Sequence, residues 1–217
     1  MIAMILAAGR GERMRPITDS MPKALVEVQG KSLLEQHLER VRMAGIETVV
    51  INLGWLGEQI AECIGGGQAY GLNVIYSPEG DKILETGGGI HRALPMLGRD
   101  PFLVINADIH TDMPLPPEAP VANDLGHLVL VPTPENKGHG DFDLDDGRVV
   151  DNDNPGLTFS GVAVYRPEFF ADCEPGRFPL APLLRSAARA GRLGGSLYKG
   201  LWEDVGTPER LTELNRR

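Results

Sequence analysis

A glycine-rich segment near the start of the sequence carries several basic side chains. It reads GRGERMRPITDSMPKAL, and its basic residues are Arg10, Arg13, Arg15 and Lys23. Glycine backbone at positions 9 and 11 could approach a ligand closely and leave N–H groups free for phosphate oxygens. Arginine adds paired, charge-assisted hydrogen bonds to the same oxygens. The residue types and their spacing predict a polyphosphate site; the alternative is a solvated loop with surface arginines.

Two common phosphate-binding motifs are excluded at this segment. A dinucleotide fingerprint, G-x-G-x-x-G, would need a glycine where Met14 stands. The GKS at residues 30–32 would complete a P-loop only with a glycine at position 25, which is Leu25. We therefore expect a polyphosphate site of another type.

Charge is unevenly distributed along the chain. The sequence has 21 basic and 30 acidic residues, for a net charge of −9. Residues 10–23 hold four basic and two acidic residues, a local balance of +2, so the remainder carries −11. A small basic island in an acidic chain favours a small polyanionic ligand and argues against nucleic acid. Apolar stretches are too short for a membrane span, so we expect no membrane partner.

The histidines and cysteines do not indicate catalytic or zinc chemistry. The five histidines lack H-x-x-x-H spacing, and neither a Ser-His-Asp set nor a G-x-S-x-G turn is visible. Surface or packing roles are expected for them, with His110 of interest because it lies two residues past Asp108. Cys63 and Cys173 do not form a disulfide framework, which favours a reducing, cytoplasmic location.

The first half of the chain alternates short apolar runs with longer helical patterns. Strands are predicted at AMILAA, ETVVINL, NVIYS and PFLVINAD. Helices are predicted at SLLEQHLERVRMAG, WLGEQIAECIGG and TGGGIHRALPML, the last after a glycine-rich turn. Ser32, with Glu35 three residues later, predicts a capping box. This order predicts an α/β fold, a Rossmann-like three-layer α/β/α arrangement with a mostly parallel central sheet.

The pattern changes after about Met113. MPLPPEAP predicts a connection, whereas HLVLVP, GDFDLDDGRVVDN and TFSGVAVYRP predict antiparallel strands with a hairpin turn at Asp146 and Gly147. Helices are expected around residues 180–190 and from Pro208. We therefore expect one domain over residues 1–217, with a smaller antiparallel part in its second half.

These motifs resemble those of a known enzyme family. G-x-G-x-R-x-x-P-x-T followed by P-K-x-L, with a late W-x-D-V-G-T, resembles the signature of sugar-1-phosphate nucleotidyltransferases. The resemblance covers nearly the whole chain. It implies the nucleotide-diphospho-sugar transferase fold and transfer of a nucleotide from a nucleoside triphosphate to a sugar 1-phosphate. It also implies a nucleotide-binding half, residues 1–112, and a sugar-binding half, residues 113–217.

The resemblance assigns roles to individual residues. It implies that Lys23 acts at the α-phosphate, that Arg13 acts on the pyrophosphate, and that Asp108 and Asp204 hold Mg²⁺. Nucleotide contacts are implied for residues of the first strand, its loop and a later turn: Leu6, Ala7, Ala8, Gly9, Gly11, Arg13, Gly87 and Gly88. Sugar contacts are implied for Asn106, Gly140, Asp141, Asp153 and Gly161.

Two positions depart from the family pattern. Ala107 stands where many relatives have glycine, a change that is tolerated unless the position needs a positive φ. The segment DNDNP takes the place of the more usual Glu-Lys-Pro, so Asn154 replaces the lysine that would face the sugar phosphate.

Short motifs also resemble one branch of the family. LAAG, ERMRP, SPEG, ETGGGI, GDF, FSG and DVGT resemble those of uridylyltransferases that act on N-acetylmuramate 1-phosphate in cell-wall recycling. UTP and that sugar phosphate are therefore the implied substrates. A mannose-1-phosphate guanylyltransferase, a choline-phosphate cytidylyltransferase and a non-catalytic, ligand-sensing relative are the alternatives. The resemblance implies a monomer or weak homodimer, because segments that assemble longer relatives are missing.

Overall fold

A nine-stranded sheet runs through the centre of the molecule. The fold is that of a computed structural model, which describes residues 1–80, 83–121 and 123–216 and, at Asn136, the backbone alone. The strands in these ranges are, in chain order, β1 (Ala3–Leu6), β2 (Glu27–Val28), β3 (Lys31–Ser32), β4 (Thr48–Leu53), β5 (Asn73–Pro78), β6 (Phe102–Asn106), β7 (Ile109–Thr111), β8 (Gly126–Pro132), β9 (Asp143–Asp145), β10 (Arg148–Val150), β11 (Leu157–Tyr165), β12 (Leu193–Leu197) and β13 (Trp202–Asp204). The α-helices are α1 (Leu33–Met43), α2 (Gly57–Ile64), α3 (Glu85–Leu97), α4 (Ala181–Arg189) and α5 (Pro208–Arg216).

The strand order creates a crevice at the ends of β1 and β6. The sheet runs β5-β4-β1-β6-β11-β8-β12-β10-β9, and β5, β4, β1 and β6 are parallel. From β1 the chain builds β4 and β5 on one side, then returns to place β6 on the other side. Ligands of open α/β sheets bind beyond the carboxyl ends of the strands at such a switch point. Leu6 and Asn106, which are register partners at these ends, mark that location.

Strands from the second half extend the same sheet. β11 is antiparallel to both β6 and β8, and β12 is parallel to β8. The predicted hairpin joins β9 to β10 through Asp146 and Gly147, both with positive φ. The mostly parallel sheet and its antiparallel second part are thus confirmed. The sheet spans both halves of the chain, and their assignment to nucleotide and sugar stays a prediction.

Two apolar layers cover the two faces of the sheet. On one face, Ile5 and Ile51 belong to a buried cluster that includes Leu38 of α1 and Ile60 of α2. On the other face, residues of α3 and α4 join the aromatic side chains of Phe102, Tyr165 and Phe170. Successive residues of β1 alternate between the clusters, as the two-residue period of a strand requires. This arrangement confirms the predicted α/β/α layers.

The helix termini show one correct and one incorrect local prediction. The α1 capping box forms, since the Glu35 N–H donates to Ser32 Oγ and the Ser32 N–H donates to the Glu35 carboxylate. The expected glycine-rich turn before α3 is wrong, because Gly87, Gly88 and Gly89 lie within the first turns of that helix. Within the described ranges, the helices are too short or too polar to cross a membrane.

A small two-stranded sheet joins the end of the chain to β6. β13 pairs antiparallel with β7, and Asp204 is the register partner of Ile109. Next to it, a third buried cluster joins the glycine-rich segment to the last helix through Met14, Val205 and Leu214. Together, these contacts bring side chains from both ends of the sequence to the crevice.

A β-bulge in β11 shapes the wall of the crevice. Phe159 is paired with Leu130 and Ala163 with Leu128, so the strand holds extra residues between these pairs. Gly161, within this bulge, has a φ of 82°. A Cβ atom there would lie 2.7 Å from Nδ2 of Asn106, so glycine is required for both conformation and space.

We predict that Gly161→Ala lowers the free energy of unfolding by about 1–3 kcal/mol, because positive φ and a steric clash both oppose a side chain. Gly45→Ala is the matched control, since Gly45 has a φ of 76° with nothing within 4 Å of an added Cβ. Urea denaturation of both variants checks this. Equal losses of unfolding free energy in the two variants would show that the Asn106 contact is unimportant.

Candidate active site

Three adjoining cavities open at the carboxyl ends of β1 and β6. The first, about 200 Å³, lies between the end of β1, Glu79 and the start of α3. The second, about 400 Å³, is lined by residues from β11, β13 and α5. The third, about 440 Å³, lies over residues 9–13. Asp108 lines all three cavities, so its carboxylate marks the place where they meet.

An ion-pair cluster occupies this meeting place. Lys23 Nζ lies 2.5 Å from Asp108 Oδ2 and 3.9 Å from Asp204 Oδ1. Asp204 Oδ2 is also 3.2 Å from Arg210 and 3.9 Å from Arg13. The Lys23 side chain is only 12% exposed, so its charge is weakly screened by water. Three cations and two carboxylates give the cluster a formal charge of +1, which favours an anionic ligand.

Local structure fixes each member of the cluster. Lys23 begins a short 3-10 turn after Pro22, and the turn is closed by an N–H of Leu25 that donates to the Pro22 carbonyl. Asp108 follows β6, and its carbonyl accepts a hydrogen bond from the Val205 N–H at 2.9 Å. The pairing of β13 with β7 therefore sets the distance between the two aspartates, which the sequence places far apart.

The glycine-rich segment is shaped by specific short-range contacts. Gly11 has a φ of 62°, and its carbonyl accepts a hydrogen bond from the Thr18 hydroxyl at 2.8 Å. A Cβ at Gly11 would lie 2.9 Å from the Thr18 methyl carbon and 3.1 Å from Lys23 Cβ. A Cβ at Gly9 would meet nothing within 4 Å. Gly9 lines the first and third cavities, so packing within the protein does not explain its glycine.

Trp55 anchors the same segment, a role that the sequence did not predict. Its indole N–H donates to the Thr18 carbonyl at 2.9 Å, and its backbone N–H donates to the Ala8 carbonyl at 3.3 Å. The Arg10 guanidinium lies 5.5 Å from the Trp55 ring, in a cation–π contact. Arg15 pairs with Asp19 on the surface. Of the arginines in this segment, Arg13 is the one that joins the ion-pair cluster.

A buried polar network supports the first cavity. Asn52 accepts a hydrogen bond from the Ala7 N–H and donates to Glu79 Oε1, both at 2.7 Å. The other Glu79 oxygen accepts a hydrogen bond from the Leu84 N–H at 2.7 Å. Asn52 and Glu79 are nearly fully buried, so each bond satisfies a polar group that would otherwise be costly. The network holds the β1 end at a fixed position relative to the start of α3.

The residues expected to bind a nucleotide divide into two groups. Leu6, Ala7, Ala8 and Gly9 line the first cavity, while Gly9, Gly11 and Arg13 line the third. Gly87 and Gly88 do not line the described cavities. The Gly88 N–H donates to the Phe178 carbonyl, and a Cβ at Gly87 would lie 2.5 Å from the Phe178 ring. Close packing of residues 176–178 on α3 accounts for these two glycines; Glu85 and Thr86 line the cavity instead.

The residues expected to bind a sugar also divide. Asn106 lines the first and second cavities, and Gly161 lies directly against its side chain. Gly140 packs against the Leu157 backbone, where a Cβ would lie 2.3 Å from the carbonyl oxygen. Asp153 is exposed, outside the lining of the second cavity.

Asp141 pairs instead with Lys137, a residue that the sequence motifs did not indicate. Its Oδ2 accepts a hydrogen bond from Lys137 Nζ at 2.7 Å, and Lys137 lines the second cavity. Ala107, the other departure from the family pattern, does not have a positive φ, so alanine causes no backbone strain there.

Two histidines lie behind the ion-pair cluster. His37 of α1 is fully buried, and burial, followed by the charge of Arg40, lowers its pKa to about 3. His110 Nδ1 lies 2.8 Å from Gln36 Oε1. His37 therefore stays neutral near neutral pH and adds no charge beside Asp108. Across the described part of the chain, His, Cys, Asp and Glu side chains form no group of three that could hold a metal ion.

Sequence comparisons identify relatives of the chain. A family described as nucleotidyl transferase matches residues 2–152. An N-acetylmuramate alpha-1-phosphate uridylyltransferase from Neisseria meningitidis is 50% identical, covering 98% of this chain and 96% of that protein. A protein of the same name from Caulobacter vibrioides is 38% identical, covering 96% of this chain and 93% of its own length.

A solved structure shares the fold. A Bacillus anthracis protein, described as a candidate glucose-1-phosphate thymidylyltransferase and crystallised with sucrose, superposes with a TM-score of 0.86. It covers all of this chain and 94% of its own, at 19% identity, so the likeness concerns the fold alone.

The buried His37 predicts a pH dependence of stability. Its pKa is about 3 in the folded protein and about 6.5 when unfolded, so between these values the unfolded chain binds a proton that the folded chain does not. The free energy of unfolding should fall with decreasing pH below 6.5, by up to about 1.4 kcal/mol per pH unit from this residue. His37→Gln and His37→Leu should share a shallower slope than the wild type in denaturation at pH 4–7. Equal slopes in the wild type and both variants would contradict the lowered pKa of His37.

Proposed function

The chain belongs to the nucleotidyl transferase family, and from this premise we propose that it transfers a uridylyl group to a sugar 1-phosphate and releases pyrophosphate. The observation that carries the proposal is the ion-pair cluster at the meeting point of three cavities. One cavity then holds the nucleoside, one the acceptor sugar and one the leaving phosphates. The reacting atoms come together beside Lys23 and Asp108.

The first and third cavities suit a nucleoside triphosphate. The first is the smallest of the three and lies against the β1 end, with backbone groups and Glu79 for hydrogen bonds to a base. The third is bounded by Gly9, Gly11 and Arg13, whose backbone and guanidinium can hold the β- and γ-phosphates. The α-phosphate then lies between the two cavities, next to Lys23, which lines both.

The reaction needs positioning and charge stabilisation more than proton transfer. An oxygen of the sugar phosphate, already anionic, attacks the α-phosphorus, and the bond from that phosphorus to the bridging oxygen of the β-phosphate breaks. Pyrophosphate leaves with the electron pair. Lys23 stabilises the charge that develops on the α-phosphate, and Arg13 stabilises the leaving pyrophosphate. Asn106, between the first and second cavities, orients the acceptor.

Asp108 and Asp204 fit the protein share of a magnesium site. Both carboxylates already face one cation, the Lys23 ammonium, so their oxygens converge on a shared point. Mg²⁺ commonly uses one or two carboxylates and takes its other ligands from phosphates and water. When bound, the ion would supply charge to the α-phosphate.

The names of the relatives support the choice of substrates. The Neisseria and Caulobacter proteins are both named as uridylyltransferases for N-acetylmuramate alpha-1-phosphate, and each aligns along most of its length. We therefore assign UTP and N-acetylmuramate 1-phosphate as donor and acceptor, for a role in the recycling of peptidoglycan sugars.

The first experiment measures pyrophosphate release with Mg²⁺ and N-acetylmuramate 1-phosphate, with UTP, GTP, CTP and dTTP in parallel. Turnover with UTP alone is the expected result. A parallel assay offers mannose 1-phosphate with GTP, and turnover of that pair alone would change the assigned substrates but keep the mechanism. Tight triphosphate binding without turnover by any pair would favour a nucleotide-sugar sensor.

We predict that Lys23→Ala and Asp108→Ala each lower kcat about 100-fold or more, the effect of removing a preorganised charge from the reacting phosphate. Lys31→Ala is the matched control, because Lys31 pairs with Glu39 on the surface and should leave kcat unchanged. Steady-state kinetics on variants with intact thermal unfolding check this. Near-normal turnover in both site variants would exclude the proposed roles.

A further inference from the structure

The second cavity contains a cation that the proposed reaction does not use. Arg13, Lys137 and Arg210 are the basic residues among its described lining. Arg13 and Arg210 both lie against Asp204, in the ion-pair cluster. Lys137 pairs instead with Asp141, at 2.7 Å. It is therefore a separate positive group in the cavity assigned to the acceptor.

Lys137 is held in place by a polar network. Asp141 Oδ2 accepts hydrogen bonds from Lys137 Nζ at 2.7 Å and from the Phe159 N–H at 3.0 Å. Lys137 Nζ also donates to Thr158 Oγ1 at 3.3 Å, and Thr158 is only 4% exposed. An ammonium has three N–H donors, so one remains for a ligand. A lysine restrained in this way loses little further side-chain entropy on binding.

Its position lies away from the reacting phosphate. Thr158 lies on one side of the bulge in β11, whereas Val162, at its other end, pairs with Ile105 next to Asn106. Gly161 touches Asn106, two residues before Asp108. An acceptor whose phosphate lies at the ion-pair cluster would therefore present its opposite side to Lys137. Phe159 and Trp202 also line this cavity and offer apolar surface for a sugar ring.

We propose that Lys137 is a specificity-determining residue that binds a carboxylate on the acceptor sugar. The inference rests on the proposed function, since N-acetylmuramate 1-phosphate carries a lactyl carboxylate that N-acetylglucosamine 1-phosphate lacks. The free N–H of the ammonium donates to that carboxylate in a charge-assisted hydrogen bond, which is about twice as strong as a neutral one. Asp141 is a positioning residue that keeps the ammonium at the wall of the cavity.

The test compares two acceptors in Lys137→Met and the wild type. With UTP and N-acetylmuramate 1-phosphate, the variant should lose about 10- to 100-fold in kcat/KM, mainly through KM, as expected for a lost hydrogen bond to a charged group. With N-acetylglucosamine 1-phosphate, the two proteins should agree within about 2-fold, given the absence of a carboxylate to bind. Lys137→Arg should restore part of the loss. Lys199→Met, at an exposed lysine outside the lining of this cavity, should match the wild type.

The outcomes separate the two proposals. Failure of the wild type to turn over N-acetylmuramate 1-phosphate with any triphosphate overturns the proposed function. Turnover by the wild type, with an equal loss on both acceptors in Lys137→Met, overturns the inference and assigns Lys137 to the shared phosphate or to folding. If the wild type does not turn over N-acetylglucosamine 1-phosphate, this compound is tested as an inhibitor of the reaction with N-acetylmuramate 1-phosphate. Its inhibition constant then replaces KM in the comparison. An unchanged inhibition constant in the variant supports a carboxylate contact, and a parallel rise contradicts it.

Discussion

The site depends on the electrostatic repulsion between two neighbouring carboxylates, those of Asp108 and Asp204. The β13–β7 pairing holds Asp204 next to Asp108, and their like charges repel each other because both carboxylates lie within 3.9 Å of one ammonium nitrogen. The Lys23 ammonium lies between them and offsets that repulsion. Arg13 and Arg210 add positive charge on the outer side of Asp204. The folded chain thus maintains a cluster with a formal charge of +1 that anionic reactants can enter.

The layered fold was predictable because its signals are local. The apolar runs that became β1, β4, β5 and β6 are separated by helical patterns, and Ser32 with Glu35 marks a helix start within four residues. Among the described strands of the nine-stranded sheet, the exception is β12, whose two glycines disfavour a strand in isolation. A Cβ at Gly195 would lie 2.8 Å from Leu144 and Val149, so tertiary packing imposes glycine there. That contact is not readable from the strand itself.

Site residues that belong to a sequence motif were predictable. Site residues whose role depends on a partner far away in the sequence were not. Arg13, Lys23, Asp108 and Asp204 were each identified within short motifs, and the fold brings their side chains into one cluster. Asn52, Glu79, Trp55 and Lys137 each contact a partner that lies 21 to 45 residues away, and in the sequence each is an ordinary polar or aromatic residue. Gly87 and Gly88 carried a motif signal, but Phe178 and Gly176 supply a packing reason for both.

The third apolar cluster also has a consequence for synthesis on the ribosome. Val205 and Leu214 emerge about 190 residues after their partners Met14 and Val26. At translation speeds of about 5–20 residues per second, this interval lasts roughly 10–40 seconds. During that time Met14 and Val26 lack the packing of Val205 and Leu214, and Asp204, the second carboxylate of the ion-pair cluster, has not been made. A nascent chain therefore cannot use substrate binding to protect itself from misfolding until its last helix has been translated.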